Sequence, residues 1–138
     1  MAHDDLIRAA AAVLSPHTTP DGRLFGDVAC ALIADDETVY RGVCIDTGSG
    51  TGFCAEHAAI AAMVTAGRYV ITSIVAVWRG PEDGRLHVVP PCGRCRQFIL
   101  QVDPRNRATT VVLGRSRSAR LDELLPERGW PPVLEGDW

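Results

Sequence analysis

Lysine is absent from the 138 residues, and all fourteen basic side chains are arginine. That excludes Schiff-base or other lysine-dependent catalysis. It also removes the phosphate-loop reading of Gly48, Gly50 and Gly52, since no lysine follows them. No apolar run approaches the roughly 18–20 residues that a membrane span requires. The opening Met1-Ala2-His3-Asp4-Asp5 is acidic, without the basic stretch and apolar core of a secretion signal. These absences predict a cytoplasmic protein with no membrane partner. The formal net charge of -3 gives no excess of positive charge for a nucleic-acid backbone, so no nucleic-acid partner is expected. The densest basic stretch, Arg105, Arg107, Arg115, Arg117 and Arg120, reads as solvated surface.

What is present is an ordinary globular balance, 46% hydrophobic and 22% charged residues. The length suits one domain over residues 1–138, with neither an internal repeat nor a domain boundary. Asp4 or Asp5 is placed to cap a helix whose apolar face uses Leu6, Ile7, Ala10, Val13 and Leu14. Val28–Ala34 and Thr38–Ile45 read as a hairpin, with Asp35, Asp36 and Glu37 in its turn. A glycine-rich loop leads to an alanine-rich helix over Cys54–Ala66. The β-prone Tyr69–Trp78 and a short extended Leu86–Val89 follow. A helix from Pro91 to Val102, a strand Thr109–Leu113 and a short helix Arg120–Leu125 complete the chain. The pattern predicts a three-layer α/β/α sandwich around a mixed five-stranded sheet. The strands after the long helices should run parallel through right-handed crossovers.

Five cysteines without a secretion signal do not suggest a disulfide framework. Cys30 and Cys44 sit in apolar runs and are expected to pack as small apolar residues. Cys54, Cys92 and Cys95 remain, and each falls at the start of a predicted helix. Free N–H groups and partial positive charge at a helix N-terminus favour the thiolate that binds a metal. Three thiolates on zinc leave the fourth position open, as a catalytic site needs. Glu56, two residues after Cys54, is spaced to act on the water rather than on the metal. A closed structural site with His57 as fourth ligand is the alternative that spacing leaves open. Phe25 and Phe53 flank the candidate pocket, where each can stack on a base or pack in the core.

Cys54-Ala55-Glu56 followed by Pro91-Cys92-Gly93-Arg94-Cys95-Arg96 resembles the signature of the cytidine deaminase superfamily. Ile74–Val77, Val88–Gln97 and Glu123–Pro126 look like its blasticidin-S deaminase and small tetrameric cytidine deaminase branch. The resemblance spans roughly Val28 to Trp130. It implies Zn²⁺ on Cys54, Cys92 and Cys95, and hydrolysis at the amino-bearing C4 of a cytosine ring. Glu56 would protonate N3 and then the departing amine. Backbone groups near Ala55 and Pro91 would hold the base, and Arg85 and Trp130 lie near two further substrate contacts of that branch. The family's Asn-x-Glu sugar contact falls on Cys44-Ile45-Asp46 if the loop is one residue shorter, leaving Asp46 as a shorter acidic contact. The implied substrate is a free cytosine nucleoside or an analogue such as blasticidin S, with a deaminase that edits nucleic acid as the alternative, and the implied assembly a homotetramer. Where the family tends to carry arginine after the glutamate, this chain has His57, expected beside the site or at the surface.

Overall fold

Strict alternation along one strand sets the layers. A computed structural model describes residues 2–138. In strand β3 (Val28–Ala34), Ala29, Ala31 and Ile33 face one side and Cys30, Leu32 and Ala34 the other, all buried. The first set packs with Leu6, Ile7 and Ala10 of helix α1 (His3–Ala11) and with Val75 and Val77. The second meets Ala59, Ile60 and Met63 of α2 (Ala55–Thr65) and Ile99 of α3 (Gly93–Val102). A sheet apolar on both faces must be covered twice, which gives the expected α/β/α sandwich.

β3 pairs antiparallel with β4 (Val39–Val43) and, on its other edge, with β5 (Ile71–Arg79). β6 (Leu86–Val89) folds back along the second half of β5, while β7 (Thr110–Val112) runs parallel to its first half. β4, β5 and β7 therefore share one direction, as expected for strands joined through α2 and α3. The sheet has six strands rather than five. The sixth, β8 (Ser118–Arg120), pairs with β7 at the edge, and the predicted helix over Arg120–Leu125 is a 3-10 turn, Leu121–Leu124. Ser118-Ala119-Arg120 carries no apolar alternation, so β8 exists through backbone pairing alone. The polar connection before β3 contains a small ribbon of β1 (His17–Thr18) and β2 (Leu24–Phe25). The first helix starts at His3 and is capped by the backbone of Ala2; Asp4 instead takes a hydrogen bond of 2.9 Å from Arg115.

Two features seat the helix starts. Gly42 lies against α2, where an added Cβ would fall 2.5 Å from that of Ala58. Asn106 is fully buried; its amide donates to the carbonyls of Tyr69 and Ile99, both at 3.0 Å, and its Oδ1 accepts from Ile71 N at 2.8 Å. It joins the end of α3 to the start of β5. Asn106→Leu takes the side-chain partner from two buried backbone groups, Ile71 N and Ile99 O, and from the part-buried Tyr69 carbonyl, and is expected to cost about 3 kcal/mol, measured by urea unfolding of the metal-free chain.

Candidate metal centre and cleft

α2 and α3 each begin at a cysteine. Cys54 and Cys92 are N-cap residues with extended backbones, ψ 159° and 170°. Paired backbone hydrogen bonds of 3.0 Å between Ile45 and Phe53 close the glycine-rich loop and deliver Cys54 to its helix start. Cys95 lies one turn into α3 and is buried. The Sγ atoms of Cys54 and Cys92 are 3.6 Å apart, and those of Cys92 and Cys95 3.5 Å. All three ligand atoms lie within 4.8 Å of one another, and all five cysteines of the chain are free thiols. These separations are too long for a disulfide. They are close to the roughly 3.8 Å between sulfurs held tetrahedrally at about 2.3 Å from a zinc ion, so the donor set fits that metal.

Among the described residues no other His, Cys, Asp or Glu joins this cluster. His57 is buried, with Nδ1 3.6 Å from Cys95 Sγ, and stands outside the ligand set. The geometry thus favours three protein ligands over a closed Cys₃His site. Glu56 is also outside it, buried at 5% exposure beside the cleft.

The electrostatics divide the three thiols. Burial raises Cys92, but backbone N–H groups of Cys95 and Arg94 and the neighbouring sulfurs more than offset it, and its pKa falls below the ordinary thiol value. This is the helix-start effect on a thiolate. Burial pushes Cys54 up, and pushes Cys95 far up with Glu56 adding to it. Burial likewise holds the Glu56 carboxyl above the usual carboxylate range, partly countered by a hydrogen bond with Cys95. Burial first, and Arg94 second, keep His57 below the usual imidazole value.

Two of the three cysteines, Cys54 and Cys92, line a cleft of about 600 Å³, with Cys95 buried behind them. Val28, Cys44, Ile45 and Asp46 form one wall, Val89, Pro90 and Arg94 the other, with Ala55 and Glu56 beside Cys54 and Cys92. Of the residues expected to touch substrate, Asp46 and Ala55 line it. Asp46 Oδ1 accepts the Gly48 N–H at 2.8 Å. Pro91 does not line it; its neighbour Pro90 does, and Pro91 faces a small void behind Glu56. Arg85 sits at the far end of β6, on the turn where Asp83 accepts its N–H at 2.9 Å. Trp130 is 95% exposed in the irregular C-terminal segment. Phe25 packs edge-on to His17 in the ribbon, outside the cleft wall, whereas Phe53 lines it.

Cys44 departs from its expected place in a strand interior. It lies past the end of β4, lines the cleft, and donates its thiol to Asp27 Oδ1 at 3.1 Å. Arg94 was not singled out from the sequence; it lines the cleft and donates to the carbonyl of Gly52 at 3.1 Å. Its signal was its place between the two cysteines of α3, one residue off the face that Cys95 buries. The basic stretch spends its charge locally: Arg105 pairs with Asp103 at 2.7 Å, Arg115 with Asp4 at 2.9 Å and Arg120 with Asp122 at 2.9 Å. No helix among the described residues is long and apolar enough to cross a membrane.

A sandwich with two helices that begin at clustered cysteines, and a buried carboxyl at the same cleft, fits the class of zinc-dependent hydrolytic deaminases. The chain belongs to the family described as the cytidine and deoxycytidylate deaminase zinc-binding region, which matches residues 2–112. It is 32% identical over 101 residues to a cytidine deaminase of Mycobacterium tuberculosis, covering 72% of this chain and 70% of that one. It is 33% identical over 76 residues to a blasticidin-S deaminase of Bacillus cereus, covering 53% and 54%. The crystal structure of a mutant cytidine deaminase from Mycobacterium tuberculosis superposes with a TM-score of 0.74 at 26% identity, over 94% of this chain and 99% of that one. Zinc is the metal of this family and suits the three sulfurs.

Proposed function

We propose that this chain, as one domain, hydrolyses the exocyclic 4-amino group of a free cytosine nucleoside or a close analogue, working in the cytoplasm as a homotetramer. Water and the cytosine C4–NH₂ become the uracil C4 carbonyl and ammonia. The observation that carries the reading is the buried Glu56 carboxyl next to a cluster of three cysteine sulfurs, two of which line the same cleft as Glu56.

Cys54, Cys92 and Cys95 are the proposed zinc ligands. Bound zinc supplies Lewis acidity, which makes a water nucleophilic near neutral pH. Glu56 holds and moves the protons. A carboxyl raised by burial is suited to take the first proton of the water and give it to ring N3, and then to take the second, from the hydroxyl added at C4, and give it to the amine as the C4–N bond breaks. The first N–H groups of α2 have no partner within the helix, and Ala55 lines the cleft, so its N–H is suited to hold the ring. Asp46 is the proposed sugar-side contact. It works beside Cys44, whose thiol is committed to Asp27. That end of the cleft therefore offers an acidic group and a thiol where the family pattern has an amide and a glutamate. Arg85, Phe25 and Trp130 receive no contact within their own chain's cleft.

Cytidine, deoxycytidine, free cytosine and blasticidin S, each incubated with the zinc-loaded chain, separate the possible substrates. Ammonia release with conversion to the uracil form is expected from at least one of the three larger compounds. No release from any of them by a chain carrying a full zinc equivalent would overturn the proposal. Light scattering of the same preparation tests the tetramer.

A further inference from the structure

The three sulfurs do not have equal support. Cys92 takes backbone N–H groups from the start of α3. Cys95 is fully buried in α3, and burial together with the nearby Glu56 opposes its thiolate. A buried thiolate without a donor is costly, and a sulfur ligand left to carry its full negative charge weakens the Lewis acidity of the metal. What stands against Cys95 from outside α3 is a side chain from the other helix. His57 Nδ1 lies 3.6 Å from Cys95 Sγ.

The imidazole is held for that contact. Its ring lies nearly parallel to that of Phe98, 4.4 Å between centroids and 24° between planes. The Phe53 ring is also close to parallel, at 6.3 Å and 26°. His57 is almost fully buried. Two phenyl rings from different elements fix the plane of the imidazole, and the Nδ1 edge points at sulfur. Nδ1 can carry hydrogen in either charge state of the ring, so the arrangement does not depend on how His57 titrates.

We infer that His57 is a positioning residue that donates its Nδ1–H to the Cys95 sulfur, drawing charge from that ligand and locking the start of α3 against the start of α2. The inference rests on the proposed ligand role of Cys95. Neither ring nitrogen joins the sulfur cluster, so the ring leaves the fourth metal position to water.

Long-range ¹H–¹⁵N spectra of the zinc-loaded chain report the tautomer directly, with no substitution needed. Nδ1 of His57 is expected to carry hydrogen; an unprotonated Nδ1 would overturn the inference. Two variants extend the test. His57→Phe keeps an aromatic ring between Phe53 and Phe98 but removes the donor, while His57→Asn restores an N–H near the Nδ1 position. With cobalt(II) in place of zinc, the sulfur-to-metal charge-transfer band is expected to move to lower energy in His57→Phe and to return towards wild type in His57→Asn. Chelator competition should show about tenfold or more weaker zinc binding for His57→Phe. Unchanged spectrum and affinity in His57→Phe would overturn the inference. Full zinc retention by Cys95→Ser would overturn the ligand assignment, and this inference with it. A Cys95-dependent site with unprotonated Nδ1 would overturn the hydrogen bond alone.

Discussion

Glu56→Gln is expected to keep one zinc per chain and lose about 10³-fold or more in kcat. The carboxyl is outside the ligand cluster, so metal content should not change. The side chain is nearly isosteric and buried, so the fold should not change either. What disappears is the group proposed to carry both protons of the water, the first to the ring and the second to the amine. KM should move little if, as proposed, the backbone at Ala55 and the cleft walls hold the ring. Ammonia release at the wild-type rate by a zinc-replete Glu56→Gln chain would end the proton-shuttle role.

The same substitution should stabilise the metal-free protein, and the sign follows from burial. The folded-state pKa of Glu56 is raised, so the folded chain prefers the neutral acid. Below the ordinary glutamate pKa both states are protonated and the two proteins should melt alike. As pH rises through the ordinary value and on through the raised one, the wild type loses stability that the glutamine variant keeps. Thermal melts of both metal-free proteins across that range should diverge with rising pH, with Glu56→Gln the higher. Parallel curves at every pH would contradict the burial cost. Activity and stability would then trade against each other at one residue, as is common at catalytic sites.

Cys92→Ala is the second large effect. Cys92 is exposed and packs into no core, so the metal-free variant should melt near the metal-free wild type. Metal changes that. Wild type at free zinc of about 1,000 times its Kd gains roughly 4 kcal/mol from binding alone. With one of three sulfurs removed, the variant should gain almost none of this and release no ammonia. Metal analysis after dialysis should find far less than one zinc per chain. A full equivalent retained by Cys92→Ala would remove Cys92 from the ligand set.

The parts of the site that were legible in the sequence share a physical reason. Metal ligation needs sulfurs at set spacings on a rigid element, and Cys92 and Cys95 meet that need within one helical turn. Cys54 and Glu56 do the same at the start of α2. Both faces of the sheet were legible because Val28–Ala34 is apolar throughout and Tyr69–Trp78 is broken only by Thr72 and Ser73, the mark of strands covered twice. What escaped depends on partners far apart in the chain. Asn106 sits between two arginines in a stretch that reads as solvated, yet it is fully buried and bonds to Tyr69, Ile71 and Ile99. Cys44 meets Asp27, seventeen residues away, where a local apolar run suggests packing. β8 needs β7 beside it and has no pattern of its own. The proline pair shows how fine the margin is: a shift of one residue, from Pro91 to Pro90, exchanges the void behind Glu56 for the cleft wall. Arg85 and Trp130 follow only from the family resemblance, and the chain puts both away from its own cleft.

The central claim is that ammonia release depends on one zinc held by these cysteines. Chain stripped of metal by a chelator, then titrated with zinc in the presence of a substrate identified from the nucleoside panel, tests it in a single curve. The account predicts no ammonia without metal, a linear rise on addition of zinc, and a plateau at one equivalent per chain. Ammonia release by the metal-free chain, or none at any zinc content, would contradict it.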